Sequence, residues 1–137
     1  MTEARLGGYN GKILRVNLSD GTVKSEAIDE AFCRKYIGGA GFVSYFLLKE
    51  LAPGIDPLGP ENKLVFAVGP ITGIPLPGSG RHCVGAKSPL TGGIAKSEVG
   101  EFWGAELKSA GFDALIVEGQ SLEPVYLYIH DGEAQIK

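Results

Sequence analysis

The sequence predicts a strand-rich α+β domain, and three observations carry that prediction. Short apolar runs of strand length, KLVFAV, DALIV and VYLYI among them, are separated by clusters of Gly, Pro, Asn and Asp. Helical spacing of apolar residues occurs in only two or three places, and the elements do not follow the regular strand–helix–strand alternation of a parallel sheet. Glycine supplies 21 of 137 residues, about twice the ordinary ~7%, so many positions serve left-handed backbone or close approach. A hydrophobic content of 44% over residues 1–137 is enough for one domain with its own core.

The elements follow in order. GKILRVNLSDGTVKSEAI reads as a β-hairpin: Leu14, Val16 and Leu18 alternate with Arg15 and Asn17, and Asp20-Gly21 supplies the turn before a second strand over residues 22–27. Asp29 suits the N-cap of a short helix, EAFCRKYI, stopped by Gly38-Gly39. A second helix covers residues 41–51, where Phe42, Tyr45, Phe46 and Leu48 recur at helical spacing. The prolines of APGIDPLGPEN make that stretch a loop. KLVFAV then reads as a buried strand, residues 69–80 as a loop, RHCVGAK as a strand and SPLTGG as a turn. AKSEVGEFWG reads as a second glycine loop leading into a helix, EFWGAELKSAGF, that Gly111 ends. DALIVEG and PVYLYIHDGEAQIK supply the last strands, joined at Asp131-Gly132, and the chain stops directly after them, as a cut or split protein would.

Composition narrows the function. With a net charge of −3 and no run of basic residues, nucleic acid is not an expected partner. The N-terminus lacks the apolar core of a signal peptide and no apolar run approaches the ~20 residues of a membrane span, so no membrane association and a cytoplasmic location are expected. Cys33 and Cys83 stand fifty positions apart. A disulfide framework, or an iron–sulfur cluster held by this chain alone, is not expected from two thiols.

Eleven of the glycines lie between Gly69 and Gly119. Small residues at Gly78-Ser79-Gly80 let backbone amides approach a ligand, and the neighbouring Arg81 guanidinium can grip phosphate or a flat heterocycle. In the second loop, Ser97 and Gly100 stand just ahead of a helix whose first amides favour an anion. Two such loops suit a large, flat, phosphate-bearing ligand, and they equally suit the tight turns of a compact β domain. No dinucleotide-binding or P-loop fingerprint occurs; GGAGF at residues 38–42, the nearest approach, follows a helix instead of a strand. His82 and His130 have no metal-ligand spacing around them. Cys83 reads as a buried thiol and Trp103 as a core or interface residue, while Glu98 and Glu101 read as first-turn residues of the following helix.

The segments GYNGKILRVNLSDG, YIGGAGF, DPLGPENKLVFAVGPITG, PGSGR, KSPLTG, GAELKSAGFDALIVEG and PVYLYIHDG stand in an order and spacing that resembles the N-terminal domain of tungsten-containing aldehyde ferredoxin oxidoreductases. The resemblance spans essentially the whole chain. It implies a β-rich base of hairpins and mixed sheets, with two or three helices, on which a bis-molybdopterin group carrying tungsten (or molybdenum) rests. Carried over by position, it implies cofactor contacts at Arg81 and Gly100, with Glu98, Ser79 and Gly80 beside them and Lys87 as a further neighbour. Glu98 stands where hyperthermophilic archaeal members have Asn, and Val99-Gly100-Glu101 stands for their Ser-Gly-Gly. A carboxylate there accepts pterin N–H groups and repels phosphate.

Members of the family are far longer than 137 residues. The resemblance therefore implies that the second pterin segment, the ligands of a [4Fe–4S] cluster and the catalytic acid or base lie in the remainder of the enzyme. This chain would contribute no catalytic residue and no metal ligand, and alone it would be inactive and would self-associate through uncovered strand edges. The other partners implied are ferredoxin and a small aldehyde. A stand-alone, non-catalytic scaffold of the same fold is the alternative.

Overall fold

In the computed structural model, residues 7–137 are described, and they form eight strands and three helices. The opening hairpin is β1 (Lys12–Asn17) and β2 (Thr22–Ala27), paired antiparallel from Lys12↔Ala27 to Asn17↔Thr22. Asp20 closes its turn by accepting the Thr22 backbone N–H at 2.9 Å. Asp29 caps α1 (Glu30–Tyr36), its carboxylate accepting the Phe32 N–H at 2.7 Å. α2 (Ala40–Glu50) follows after Gly38-Gly39.

The next four strands complete the main sheet: β3 (Lys63–Val68), β4 (His82–Lys87), β5 (Ile94–Val99) and β6 (Ala114–Glu118), with α3 (Trp103–Ser109) between β5 and β6. The order is β2-β1-β6-β3-β4-β5, antiparallel throughout except for the parallel pair β1/β6. β7 (Leu127–His130) and β8 (Glu133–Ile136) form a separate hairpin. The predicted α+β class stands, with three helices and a six-stranded mixed sheet.

Both faces of the sheet are covered at its centre, and this is why β3 and β6 are continuous apolar runs instead of alternating ones. Ile13, Val65, Ala67, Cys83, Ala114 and Ile116 face α1 and α2, where they meet Cys33, Phe42, Val43, Phe46 and Leu47. Leu14, Val16, Val68 and Leu115 face the other way, toward Leu107 of α3, Phe112 and the inward residues Leu127, Ile129, Ala134 and Ile136 of the β7–β8 hairpin. A period of two divides neighbours in one strand between two cores.

Polar ties fix the layers. The Arg15 guanidinium donates to both oxygens of Glu50, at 2.9 and 2.6 Å, binding β1 to the end of α2. Buried Asp113, just before β6, accepts the backbone N–H groups of Asn10 at 3.0 Å and Gly11 at 2.7 Å. Beside it, Lys108 of α3 donates its ammonium to the carbonyls of Gly8 and Gly69. Among the described residues, no helix is long and apolar enough to cross a membrane.

One expected loop is a strand. Residues 95–100 were expected to form the second glycine loop; residues 94–99 instead make β5, which pairs with all of β4 from His82↔Val99 to Lys87↔Ile94. β5 is the sheet's edge and all six of its residues are exposed. With neither face covered, nothing selects an apolar alternation, so polar Lys96, Ser97 and Glu98 sit in the ladder. Ser97 accordingly lies in β5, away from the start of α3.

Candidate functional site

The antiparallel course of β3, β4 and β5 brings the C-terminal end of β3, the start of β4 and the end of β5 to one end of the sheet. The N-terminus of α2 reaches the same end, because the Gly39 N–H donates to the Val68 carbonyl at 3.0 Å. α2 has no side-chain cap; at its start the Gly39 and Gly41 amides are spent on the carbonyls of Val68 and Gly38.

Two concave spaces open here, on either side of Arg81. One, of about 310 Å³, is lined by Gly38 and Gly39, by Ile71 and Thr72, and by Cys83 and Glu98. The other, of about 530 Å³, is lined by Ile74, Leu76, Gly80, Gly100, Glu101 and Phe102. Gly78, Ser79 and Arg81 line both. The floor carries exposed apolar groups, Ile71, Leu76 and Phe102 at 62, 62 and 76% exposure. Exposed apolar groups gathered in one place mark a surface suited to a ligand or a further part of a protein.

Arg81 is held at its backbone, and its side chain is 69% exposed. Its guanidinium stands 3.9 Å from Glu98 Oε2, while Glu98 Oε1 accepts a hydrogen bond from Lys96. That bond to Lys96, with Arg81 adding a smaller part, holds the Glu98 carboxyl below the usual carboxylate range. Glu98 is therefore an ionised group already shared between two cations.

The glycines divide by what a side chain would meet. At Gly80 a Cβ would collide with the Glu101 carbonyl oxygen, so this glycine lets two loops cross backbone to backbone. A Cβ at Gly104 would come within 3.1 Å of the Gly80 carbonyl and 3.2 Å of His82 Nδ1. Gly100 is different: a Cβ there would meet no atom within 4 Å, and its φ lies outside the left-handed region. Neither packing nor backbone conformation calls for glycine at 100, yet it borders the larger cavity.

The structure thus brings Arg81, Ser79, Gly80 and Gly100 around one cavity and Arg81 with Glu98 around the other. Ser79 spends its hydroxyl proton within the loop, donating to the Ile74 carbonyl at 2.6 Å. Lys87 lies at the far end of β4, where its ammonium donates to the Ile55 carbonyl at 2.7 Å. Glu98 and Glu101 do not occupy the first turn of a helix as expected: Glu98 is in β5, and Glu101 precedes α3 with φ of 71°. Trp103 is partly exposed and stacks on His82 at 4.7 Å and Phe66 at 5.0 Å. Both cysteines are free and buried, and burial pushes the Cys33 thiol up to about 11 and raises Cys83 as well. Among the described residues, no three His, Cys, Asp or Glu side chains converge as a metal site.

Sequence reasoning missed Thr72 and the Gly38-Gly39 pair as parts of this site. Nothing in PITG separates Thr72 from any turn threonine, whereas YIGGAGF did hold a signal in its paired glycines.

A mixed sheet with glycine loops and an exposed guanidinium gathered at one end, beside two concave spaces, makes an α+β domain with one candidate binding end. Comparison gives its kin. The aldehyde ferredoxin oxidoreductase N-terminal domain family matches residues 13–137. A tungsten-containing aldehyde ferredoxin oxidoreductase of Pyrococcus abyssi is 58% identical over 130 residues, covering 95% of this chain and 21% of the relative. The aliphatic sulfonate oxidoreductase WOR-like subunit of Pyrococcus furiosus is 41% identical over 132 residues, covering 94% of this chain and 21% of the relative. Among solved structures, the active-site complex BamBC of benzoyl coenzyme A reductase matches at a TM-score of 0.91 and 38% identity, over 95% of this chain and 20% of that one. The chain belongs to the aldehyde ferredoxin oxidoreductase family, as its N-terminal domain, and spans about a fifth of the length of these relatives.

Proposed function

We propose that this domain is the floor on which a tungsten–pterin group rests in an aldehyde:ferredoxin oxidoreductase, the rest of the enzyme supplying the second pterin contact and the [4Fe–4S] ligands. The observation that carries the reading is Gly100: a glycine that the chain's own packing does not require, bordering a cavity beside an exposed Arg81. Space kept clear of side chains, apolar floor residues and one guanidinium fit a broad, flat, phosphate-bearing group.

When bound, such a group supplies the oxidation of an aldehyde and water to a carboxylic acid and two protons, with two electrons leaving through the cluster to ferredoxin. The chain's own residues bind and orient. Arg81 offers paired N–H donors to phosphate or heterocycle oxygen, and it must part from Glu98 to do so. Glu98, ionised and steadied by Lys96, accepts N–H donors of a heterocycle and disfavours a phosphate at its own position. Gly38 and Gly39, just ahead of α2, line the smaller cavity. The 58% identity to a tungsten-containing relative favours this reading over a stand-alone scaffold of the same fold. Cytoplasmic location, self-association of the chain alone and the small-aldehyde substrate belong to the same proposal.

The test is Arg81→Lys, made in the enzyme that carries this domain. The charge is kept and the planar fork is lost, so tungsten and pterin per protein are expected to fall several-fold, with activity falling in proportion. Equal content and equal activity would make Arg81 an ordinary surface cation.

A further inference from the structure

The loop over residues 69–81 is long and exposed, yet Arg81 leaves it from a backbone that is held on every side. We propose that Thr72 is the positioning residue that aims Arg81, by fastening both ends of this loop through one buried hydroxyl. The inference rests on the reading of Arg81 as the anchor for the bound group.

Thr72 is 6% exposed, in a stretch where residues 71 and 73–78 are all exposed. Its Oγ1 accepts the N–H of Gly69 at 2.9 Å and donates its proton to the carbonyl of Arg81 at 3.0 Å. One hydroxyl thus spends its proton and a lone pair on the first and last residues of the loop. The distance along the chain between Thr72 and Arg81 is nine positions, and no ladder hydrogen bond of β3 or β4 reaches into that span.

The fastening is itself anchored. The Gly69 carbonyl accepts a hydrogen bond from Lys108, whose ammonium also donates to Gly8 at 2.6 Å. On the other side, His82 packs beneath Trp103 and against Gly104, and Gly80 rests on the Glu101 carbonyl. A continuous path therefore runs from α3 through Lys108, Gly69 and Thr72 to Arg81. Within the loop, the Gly73 N–H donates to the Ser79 carbonyl at 3.1 Å, so the interior is tied independently of Thr72. The Thr72 N–H also donates to the Gly69 carbonyl at 3.2 Å, so loss of the hydroxyl would release the Arg81 end of the loop while leaving its Gly69 end and its middle tied. The guanidinium would then sample a wider arc and bind a phosphate-bearing group less often in the right orientation.

Thr72→Val replaces the hydroxyl by a methyl of the same shape, and Thr72→Ser restores it. In the enzyme carrying this domain, Thr72→Val is expected to speed amide exchange over residues 69–81 about fivefold or more, the effect of losing the hydroxyl's two hydrogen bonds. Exchange in β1 and β6 should not change. Tungsten per protein should fall, Thr72→Ser should recover both readouts, and adding Thr72→Val to Arg81→Ala should cause no further loss of tungsten. Native exchange over residues 69–81 in Thr72→Val overturns the proposal, as does a double variant whose loss is the product of the two single losses. If Arg81→Ala loses tungsten while Thr72→Val keeps it, the Thr72 inference alone fails. If Arg81→Ala keeps its tungsten, the reading of Arg81 fails and this inference falls with it.

Discussion

Adding a methyl group at Gly100 and, separately, at Gly80 sets the two kinds of loop glycine against each other. At Gly80 the new Cβ collides with the Glu101 carbonyl oxygen and comes within 3.2 Å of the carbonyl carbon. Both are backbone atoms that no side-chain rotation can move away. Overpacking of this kind costs ~1–3 kcal/mol, and the stiffer unfolded chain of an alanine returns ~0.4–1 kcal/mol. Gly80→Ala should therefore lose about 1–2 kcal/mol of stability. For a domain of this length that corresponds to a fall of about 3–7 °C in melting temperature. At Gly100 no atom lies within 4 Å of the new Cβ, and only the unfolded-state term acts. Gly100→Ala should be as stable as the parent or more stable by ~0.4–1 kcal/mol. Its cost should fall on the bound group: a methyl intruding on a contact surface, at ~1–3 kcal/mol, weakens retention roughly 5- to 150-fold. Thermal melting of the chain and tungsten per protein in the assembled enzyme separate the two effects. Loss of stability in Gly100→Ala without tungsten, or full retention of tungsten in that variant, would refute the assignment of Gly100 to ligand contact.

Two further outcomes are expected. Glu101 holds φ of 71°, which costs a residue with a side chain ~1–2 kcal/mol. Glu101→Gly should therefore stabilise by about 0.5–1 kcal/mol after glycine's own entropy cost of ~0.5–1 kcal/mol; an unchanged or lower denaturant midpoint would show that the strain is not there. Burial lowers the pKa of His82 below its ordinary 6.5, so the unfolded chain takes up the proton first as pH falls. Stability from this group is complete above about 6.5 and declines below it, by at most ~1.4 kcal/mol per pH unit, until the folded-state pKa is passed. His82→Phe, which keeps a ring against Trp103, should flatten that slope, and an identical acid profile in the variant would remove His82 as its cause.

Local chemistry made much of the fold legible. Asp20-Gly21 and Asp29 act on backbone groups two or three residues away, so the opening hairpin and the start of α1 could be read without knowing anything distant. β5 could not be read that way. Its six residues are exposed on both faces, and its only reason to be extended is the ladder offered by β4. The site divides similarly. Arg81 and its flanking glycines were legible from the loop's composition, and the structure places Gly100 at the same cavity. Thr72 and Gly39 belong to the site only through hydrogen bonds to Arg81 and Val68, contacts that no spacing in the sequence encodes. Glu101 was mistaken for a first-turn residue because it stands two positions ahead of α3, whereas its own backbone is left-handed.

The parallel pairing of β1 with β6 has a consequence in time. The Asp113 carboxylate that receives the Gly11 N–H is 102 positions further along the chain, and β1 can join the middle of the sheet only when that part has been synthesised. At ~5–20 residues per second, a ribosome needs about 5–20 seconds to deliver it. Throughout that interval one side of β1 offers unpaired backbone groups beside Ile13, Leu14 and Val16, the pattern that recruits foreign strands. The newborn chain is thus most open to mispairing at β1 before β6 emerges.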